Sequence, residues 1–248
     1  MAGHSKFKNI QFRKDRQDSV RSKLFSKLSR DITIAAKHGA PDPAANARLR
    51  LAITSAKAES MPKDNIDRAI KKALGGDIDA LEEIRYEGFG PGGAGVIVET
   101  LTDNRNRAAA NIRSLFSKNG GNLGETGSVA FMFDRLGEVR FPLAAGSEEA
   151  VLEAAIEAGA QEAEIEGGQH VILTAFGDMG PVVESLEARL GPPVSAKIVW
   201  LAKTDTPVTG QDAASLVKLI AALEDDDDVQ SVWTNADLDD EDLARLAG

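Results

Sequence analysis

Residues 137–201 read GEVRFPLAAGSEEAVLEAAIEAGAQEAEIEGGQHVILTAFGDMGPVVESLEARLGPPVSAKIVWL. Alternating apolar residues predict strands at 137–142, near 162–166, at 170–175 and at 194–201. Apolar residues at helical spacing predict helices at 147–158 and 179–190. The order is βαββαβ, the plan of a ferredoxin-like unit that can fold around its own core.

On either side of this unit lie fragments of a second sheet-containing domain. Residues 83–88 and 94–101 alternate around a glycine-rich turn and read as a hairpin. A helix is expected at 105–118, ended by Gly120-Gly121, and a strand at 127–133. After the unit come one helix at 211–223, one strand at 229–233 and a short acidic tail. Joined across the insertion, these pieces make a second α+β sandwich.

The first third is different in texture. Residues 1–17 are basic, with Phe7, Ile10 and Phe12 interleaved and no sustained helical period, which reads as an arm. From Asp18 onward Val20, Leu24, Leu28 and Ile32 recur every four residues, widened by Phe25 and Ala35, up to Gly39. A second helix is expected at 45–59 behind Pro41 and Pro43, and a third from Pro62 to Leu74, closed by Gly75-Gly76. The fold class expected is therefore α+β multidomain: an N-terminal three-helix domain followed by two α/β sandwich domains, one ferredoxin-like and inserted into the other. The bounds are 1–76, then 77–135 plus 204–248 as one discontinuous domain, with 136–203 inserted.

Charge divides the chain at the same place. Residues 1–76 carry 17 Lys and Arg against 7 Asp and Glu, a net +10, while the remainder carries 12 against 32, a net −20. Screening at physiological salt has a length of about 8 Å, so an acidic lobe a domain away cannot cancel the local field of a basic one. Asymmetry of this size implies a nucleic-acid-facing part and a solubilising or partner-facing part. Lys6, Lys8, Arg13, Lys14, Arg16, Arg21, Lys23, Lys27 and Arg30 fall within 25 residues. Such groups neutralise phosphates and release counterions, and Phe7 and Phe12 can stack on unpaired bases for about 1–3 kcal/mol each. A second candidate is Thr102-Asp103-Asn104-Arg105-Asn106-Arg107, a helix cap whose amides, with Arg105 and Arg107, could hold a phosphate.

Other chemistries are disfavoured by the same sequence. The absence of cysteine removes disulfides and thiolate sites and suits a reducing cytoplasm. No run approaches the ~18 apolar residues of a membrane span, so no membrane partner is expected. Gly88-Phe89-Gly90-Pro91-Gly92-Gly93-Ala94-Gly95 matches G-x-G-x-x-G twice. Its glycines lead into a strand rather than a helix, however, which makes a hairpin rather than a dinucleotide site. His4, His38 and His170 are scattered, and the acidic run 224–228 lacks the spaced ligands of a calcium loop. No catalytic constellation, metal site, cofactor or small-molecule substrate is expected.

Several stretches carry a resemblance. Met1-Ala2-Gly3-His4-Ser5-Lys6, Met61-Pro62-Lys63-Asp64-Asn65-Ile66, Tyr86-Glu87-Gly88-Phe89-Gly90-Pro91-Gly92-Gly93, Thr102 to Arg107, and Gly121-Asn122-Leu123-Gly124 with Gly127-Ser128-Val129 resemble, in order, the YebC/PmpR family. Its relatives include the mitochondrial translational activator of cytochrome oxidase. The resemblance implies three domains, no enzymatic activity and a role in gene expression. Some members are described as DNA-binding transcriptional regulators, others as ribosome-associated translation factors that help synthesis through consecutive prolines. Phe7 stands where tryptophan is usual, and Gln11-Phe12 where Lys-His is common. Because no helix-turn-helix or zinc-finger pattern is present and a basic arm with aromatics suits irregular RNA, the expected partner is ribosomal or other RNA. DNA is the alternative, and a protein–protein adaptor the further alternative.

Overall fold

The computed structural model describes residues 17–75, 81–239 and 241–242. The chain divides into two compact units, one formed by Met1–Leu24, Asp79–Asp134 and Trp200–Gly248, the other by Phe25–Ile78 and Arg135–Val199.

In the second unit, helix α1 (Gln17–Lys37) from Phe25 onward, with α2 (Ala47–Ala58) and α3 (Lys63–Leu74), shares a core of Ile32, Ala35, Leu49, Ile53, Ile66 and Ala69, with Phe25 and Leu28 against it. Two polar side chains set their packing. Thr33, buried, donates to Ser29 O at 2.8 Å and to Ala69 O at 3.1 Å, which ties α1 to α3. Asn46 accepts from Leu49 N–H at 3.0 Å, capping α2, and its amide donates to Ala35 O at 2.7 Å and Ala40 O at 2.8 Å. That cap is why α2 begins two residues later than periodicity alone suggests.

The same unit holds most of the sheet formed by β4 (Phe133–Pro142), β5 (Glu162–Glu166), β6 (Gln169–Ala175) and β7 (Ser195–Ala202), in the order β5-β6-β4-β7. With helices α5 (Glu148–Glu157) and α6 (Met179–Leu190) between the strands in sequence, this is the ferredoxin-like order. Val139, Phe141, Ile172, Val182, Val183 and Leu186 are its core, and Leu51 of α2 packs against it.

The first unit is built on a sheet of order β3-β1-β2-β9. Strands β1 (Glu82–Phe89) and β2 (Gly95–Thr102) form the expected hairpin, from Glu82 opposite Thr102 to Phe89 opposite Gly95, around a turn at Pro91–Gly93. Strand β3 is only Asn122–Leu123, and β9 is Val229–Thr234. Helices α4 (Arg105–Lys118) and α7 (Gly210–Asp225) cover one face through Ile112, Phe116, Leu216, Leu219 and Leu223. A short parallel pair, β8 (Thr206–Pro207) and β10 (Ala236–Asp237), completes it.

One expected element is absent. Residues 127–133 are not a strand: they turn through Gly127, at φ +90°, into a 3-10 turn at Ala130–Met132, and β4 starts only at Phe133. Ser128-Val129-Ala130-Phe131-Met132-Phe133 has strand-forming composition, but a buried carboxylate captures its amides first, as described below.

Several glycines permit close packing. A Cβ on Gly88 would lie 2.6 Å from Asn122 O and 2.7 Å from the Phe116 ring. Because one neighbour is main chain paired in the sheet and the other a fully buried ring, Gly88→Ala is expected to cost about 1–3 kcal/mol, read as a lower urea midpoint at unchanged m-value. An unchanged midpoint would contradict this packing.

Candidate nucleic-acid interface

Of the residues proposed for the interface, Lys6, Phe7, Lys8, Phe12, Arg13, Lys14 and Arg16 lie outside the described residues. Helix α1 carries the rest of the first cluster. At 3.6 residues per turn, Lys23, Lys27 and Arg30 fall within an arc of about 60°, opposite the stripe of Phe25, Leu28 and Ile32. The sequence places Arg21 on that basic face too, but it lies on the azimuth of the apolar stripe, one turn before Phe25. Lys23 is already engaged, since its ammonium donates to the Asp225 main-chain oxygen at 3.1 Å and to the Asp225 carboxylate. One cation of the basic face thus meets the acidic run at the end of α7.

The two arginines of the second candidate have different surroundings. Asn104 caps α4, accepting from Arg107 N–H at 3.0 Å. The Arg107 guanidinium donates to the buried Asp228 carboxylate at 2.8 Å and to Asp103 at 2.7 Å. Those bonds, Asp228 first and then Asp103, push its pKa further up. Thr102 Oγ1 donates to the same Asp228 oxygen at 3.0 Å. Arg107 is therefore part of an internal clasp between the start of α4 and the start of β9. Arg105 is exposed in the first turn, and its carbonyl accepts from the Tyr86 hydroxyl at 3.4 Å. Burial raises the Tyr86 phenol pKa, aided by Asp228 and Glu82 and opposed by the positive charges of Arg105 and Arg113. Arg113 thus stands in the same field as Arg105, two turns along α4.

The glycine loop is occupied by its own fold. Gly90 N–H donates to Ala94 O at 2.8 Å and Gly93 N–H to Gly90 O at 3.1 Å, so these amides close the turn rather than face a ligand. Gly92, at φ +73°, has no room for a side chain beside Val208, and a Cβ on Gly90 would lie 2.6 Å from Leu216.

Glu87, in the middle of β1, is 1% exposed. Its carboxylate accepts from the N–H groups of Val129 at 3.0 Å and Ala130 at 2.8 Å, and Arg85 Nε lies 3.1 Å from its other oxygen. Burial alone would raise its pKa. The amides of Val129, Gly127 and Ala130, with Arg85, outweigh burial and hold it below the ordinary carboxylate value. On the same side, the Arg85 guanidinium lies 4.9 Å over the Trp200 ring, whose Nε1–H donates to Glu99 at 2.9 Å.

Periodicity at 63–74, applied to charge as well as to apolar residues, also reveals Arg68, Lys71 and Lys72, exposed on α3 away from Ile66 and Ala69. Their spacing is the signal that a search confined to residues 6–30 passes over. Among the described residues no three His, Cys, Asp or Glu side chains are grouped to hold a metal ion. Among the same residues no helix is long and apolar enough to cross a membrane.

The described residues thus form a basic helical segment followed by a hairpin-based α+β domain with a ferredoxin-like insertion. The comparisons agree: residues 5–76 match the TACO1/YebC protein N-terminal domain, and residues 81–236 match the TACO1/YebC second and third domain. The chain belongs to the TACO1/YebC family, which is described as one of transcriptional regulators rather than enzymes. It is similar to the crystal structure of a conserved hypothetical protein from Aquifex aeolicus, at 41% identity over 91% of this chain and 93% of that one, with a TM-score of 0.79.

Glu87 makes a pH prediction. Its folded pKa is lower than its unfolded one, so its stabilisation is present above about pH 4.3, the ordinary glutamate value, and is lost as pH falls through the folded pKa. Glu87→Gln is expected to cost about 1–3 kcal/mol at pH 7, with the gap to the parent protein narrowing below pH 4. Urea melts of both proteins from pH 3 to 8 check this; a gap independent of pH would contradict it.

Proposed function

We propose that the protein is a non-catalytic, nucleic-acid-binding regulator of gene expression that acts as a ribosome-associated translation factor. The basic arm and the Lys23, Lys27 and Arg30 face of α1 would contact RNA. The observation that carries this reading is the charge division, +10 over residues 1–76 in a chain of net −10. An otherwise acidic protein has no solubility need for such a cluster. Arg105, with Arg113 beside it, is a secondary phosphate contact, whereas Arg107 serves the Asp228 clasp. The family's description as transcriptional regulators favours a second reading, in which the same cations hold DNA.

Sucrose-gradient sedimentation of the full chain in native lysate, with and without nuclease, separates the two. The parent protein is expected to migrate with ribosomes, and changing Lys6, Lys8, Arg13 and Lys14 to Ala is expected to abolish it. Lys23→Ala, Lys27→Ala and Arg30→Ala together are expected to lower the salt slope of binding to purified ribosomal RNA by about 2–3. In the same assay Arg105→Ala weakens binding without moving the urea midpoint, while Arg107→Ala does the reverse. Recovery with DNA only, lost on DNase treatment, would overturn the translational reading in favour of the transcriptional one.

A further inference from the structure

The outer edge of the ferredoxin-like sheet combines three features that nothing above uses. First, β5 is the last strand in the order β5-β6-β4-β7, and among the described residues no strand pairs with its outer side. Such an edge presents unpaired N–H and C=O groups to any extended chain.

Second, the edge is roofed by an apolar flank. Helix α5 packs on β5. Its Glu153 and Glu157 reach Arg189 of α6, Glu153 at 3.0 Å, so that flank of α5 faces α6. Leu152 and Ile156, about 100° round the helix, therefore lie on the opposite flank, over the β5 edge. They are 44% and 67% exposed. Ile165 of β5, 45% exposed, lies opposite His170, while Ala163 lies opposite the core residue Ile172. Ile165 thus shares the helix-covered side of the sheet with the two α5 residues.

Third, Glu162, Glu164 and Glu166 alternate with Ala163 and Ile165 and face the other side of the sheet. Glutamates alone on an edge strand deter self-association. Deterrence does not call for Ile156 of α5 to stand two-thirds exposed over the same edge.

We infer that the β5 edge and the Leu152–Ile156 flank of α5 form a docking site for an extended basic segment of another protein, added as a fifth strand. Apolar residues of that segment would lie under α5, and Lys or Arg at the alternate positions would lie against Glu162 and Glu164, Glu166 being paired with Arg140 at 2.6 Å. Strand addition supplies main-chain hydrogen bonds, and alternate side chains supply specificity. A second copy is a poor occupant, because β5 against β5 sets glutamate opposite glutamate. A nucleic acid is repelled by the same charges.

The test uses the full chain and three labelled nine-residue peptides, alternating Val/Lys, Ser/Lys and Val/Glu, in fluorescence anisotropy at physiological salt. Val/Lys is expected to bind at least tenfold more tightly than Ser/Lys. It should lose at least tenfold with the charge-swapped E162K/E164K and, separately, with Ile156→Asp; both changes are at exposed or half-exposed positions. The Val/Glu peptide should bind E162K/E164K and not the parent. Hydrogen exchange of the parent with Val/Lys should slow at the β5 amides. Equal binding of Val/Lys and Ser/Lys, indifference to both variants, or no binding would overturn the proposal. Protection at residues 224–228 instead of β5 would do so too. A concentration-dependent dimer of the parent chain, dissociated by Ile156→Asp, would replace it with self-association.

Discussion

The carboxylate of Glu87 is the point on which the sheet of the first unit depends. It is buried in the middle of β1, yet one of its oxygens accepts from two main-chain amides forty residues ahead, and the charge of Arg85 on its own strand lies 3.1 Å from the other. An uncompensated charge there would be expelled. Once compensated, it fixes where the chain turns before β4. Gly124 N–H donating to Glu87 O at 2.8 Å and Gly88 under the Phe116 ring fasten the same stretch from the main-chain side. The motif from Tyr86 to Gly93 and the one from Gly121 to Val129 are two halves of one contact.

Charge is organised on a longer scale than these contacts. The basic residues are concentrated before residue 77 and the acidic ones after it, so each part keeps its own field within a Debye length. Lys23 and Asp225, one from each part, form a pair that is exposed and thus weak. A polyanion can compete for that lysine at little cost, which is consistent with a basic face that is held but not sequestered. The acidic part offers no comparable surface to phosphate. Three of its arginines are engaged internally, Arg107 on Asp228, Arg140 on Glu138 and Glu166, and Arg189 on Glu153 and Glu157, which leaves Arg105 and Arg113 as its contribution to phosphate binding.

The gap between sequence and structure has a physical pattern. Helices 105–118 and 179–190 are legible to the residue; for the first an apolar stripe, the Asn104 cap and the Gly120-Gly121 stop all agree, and for the second the apolar stripe alone carries it. The ferredoxin-like order is legible because six such elements follow in sequence. The misread stretch, 127–133, has strand composition but is captured by Glu87, a partner more than forty positions away that no local window contains. The two-residue strands β3, β8 and β10 are too short to carry a period. The same limit governs the interface. Lys23, Lys27 and Arg30 are placed on one face by periodicity, whereas the engagement of Arg107 rests on Asp228, 121 residues later. Arg68, Lys71 and Lys72 were readable from their spacing alone.

The central claim is that the basic N-terminal third carries the contact with nucleic acid and that the contact is RNA. Ultraviolet crosslinking in living cells, with mass-spectrometric mapping of the nucleotide-bearing peptides and sequencing of the bound nucleic acid, tests it most directly. The account predicts crosslinks concentrated in residues 1–76, with Arg105 as an outlying site, and ribosomal RNA as the recovered partner. Crosslinks confined to residues 81–236, or recovery of DNA alone, would contradict it.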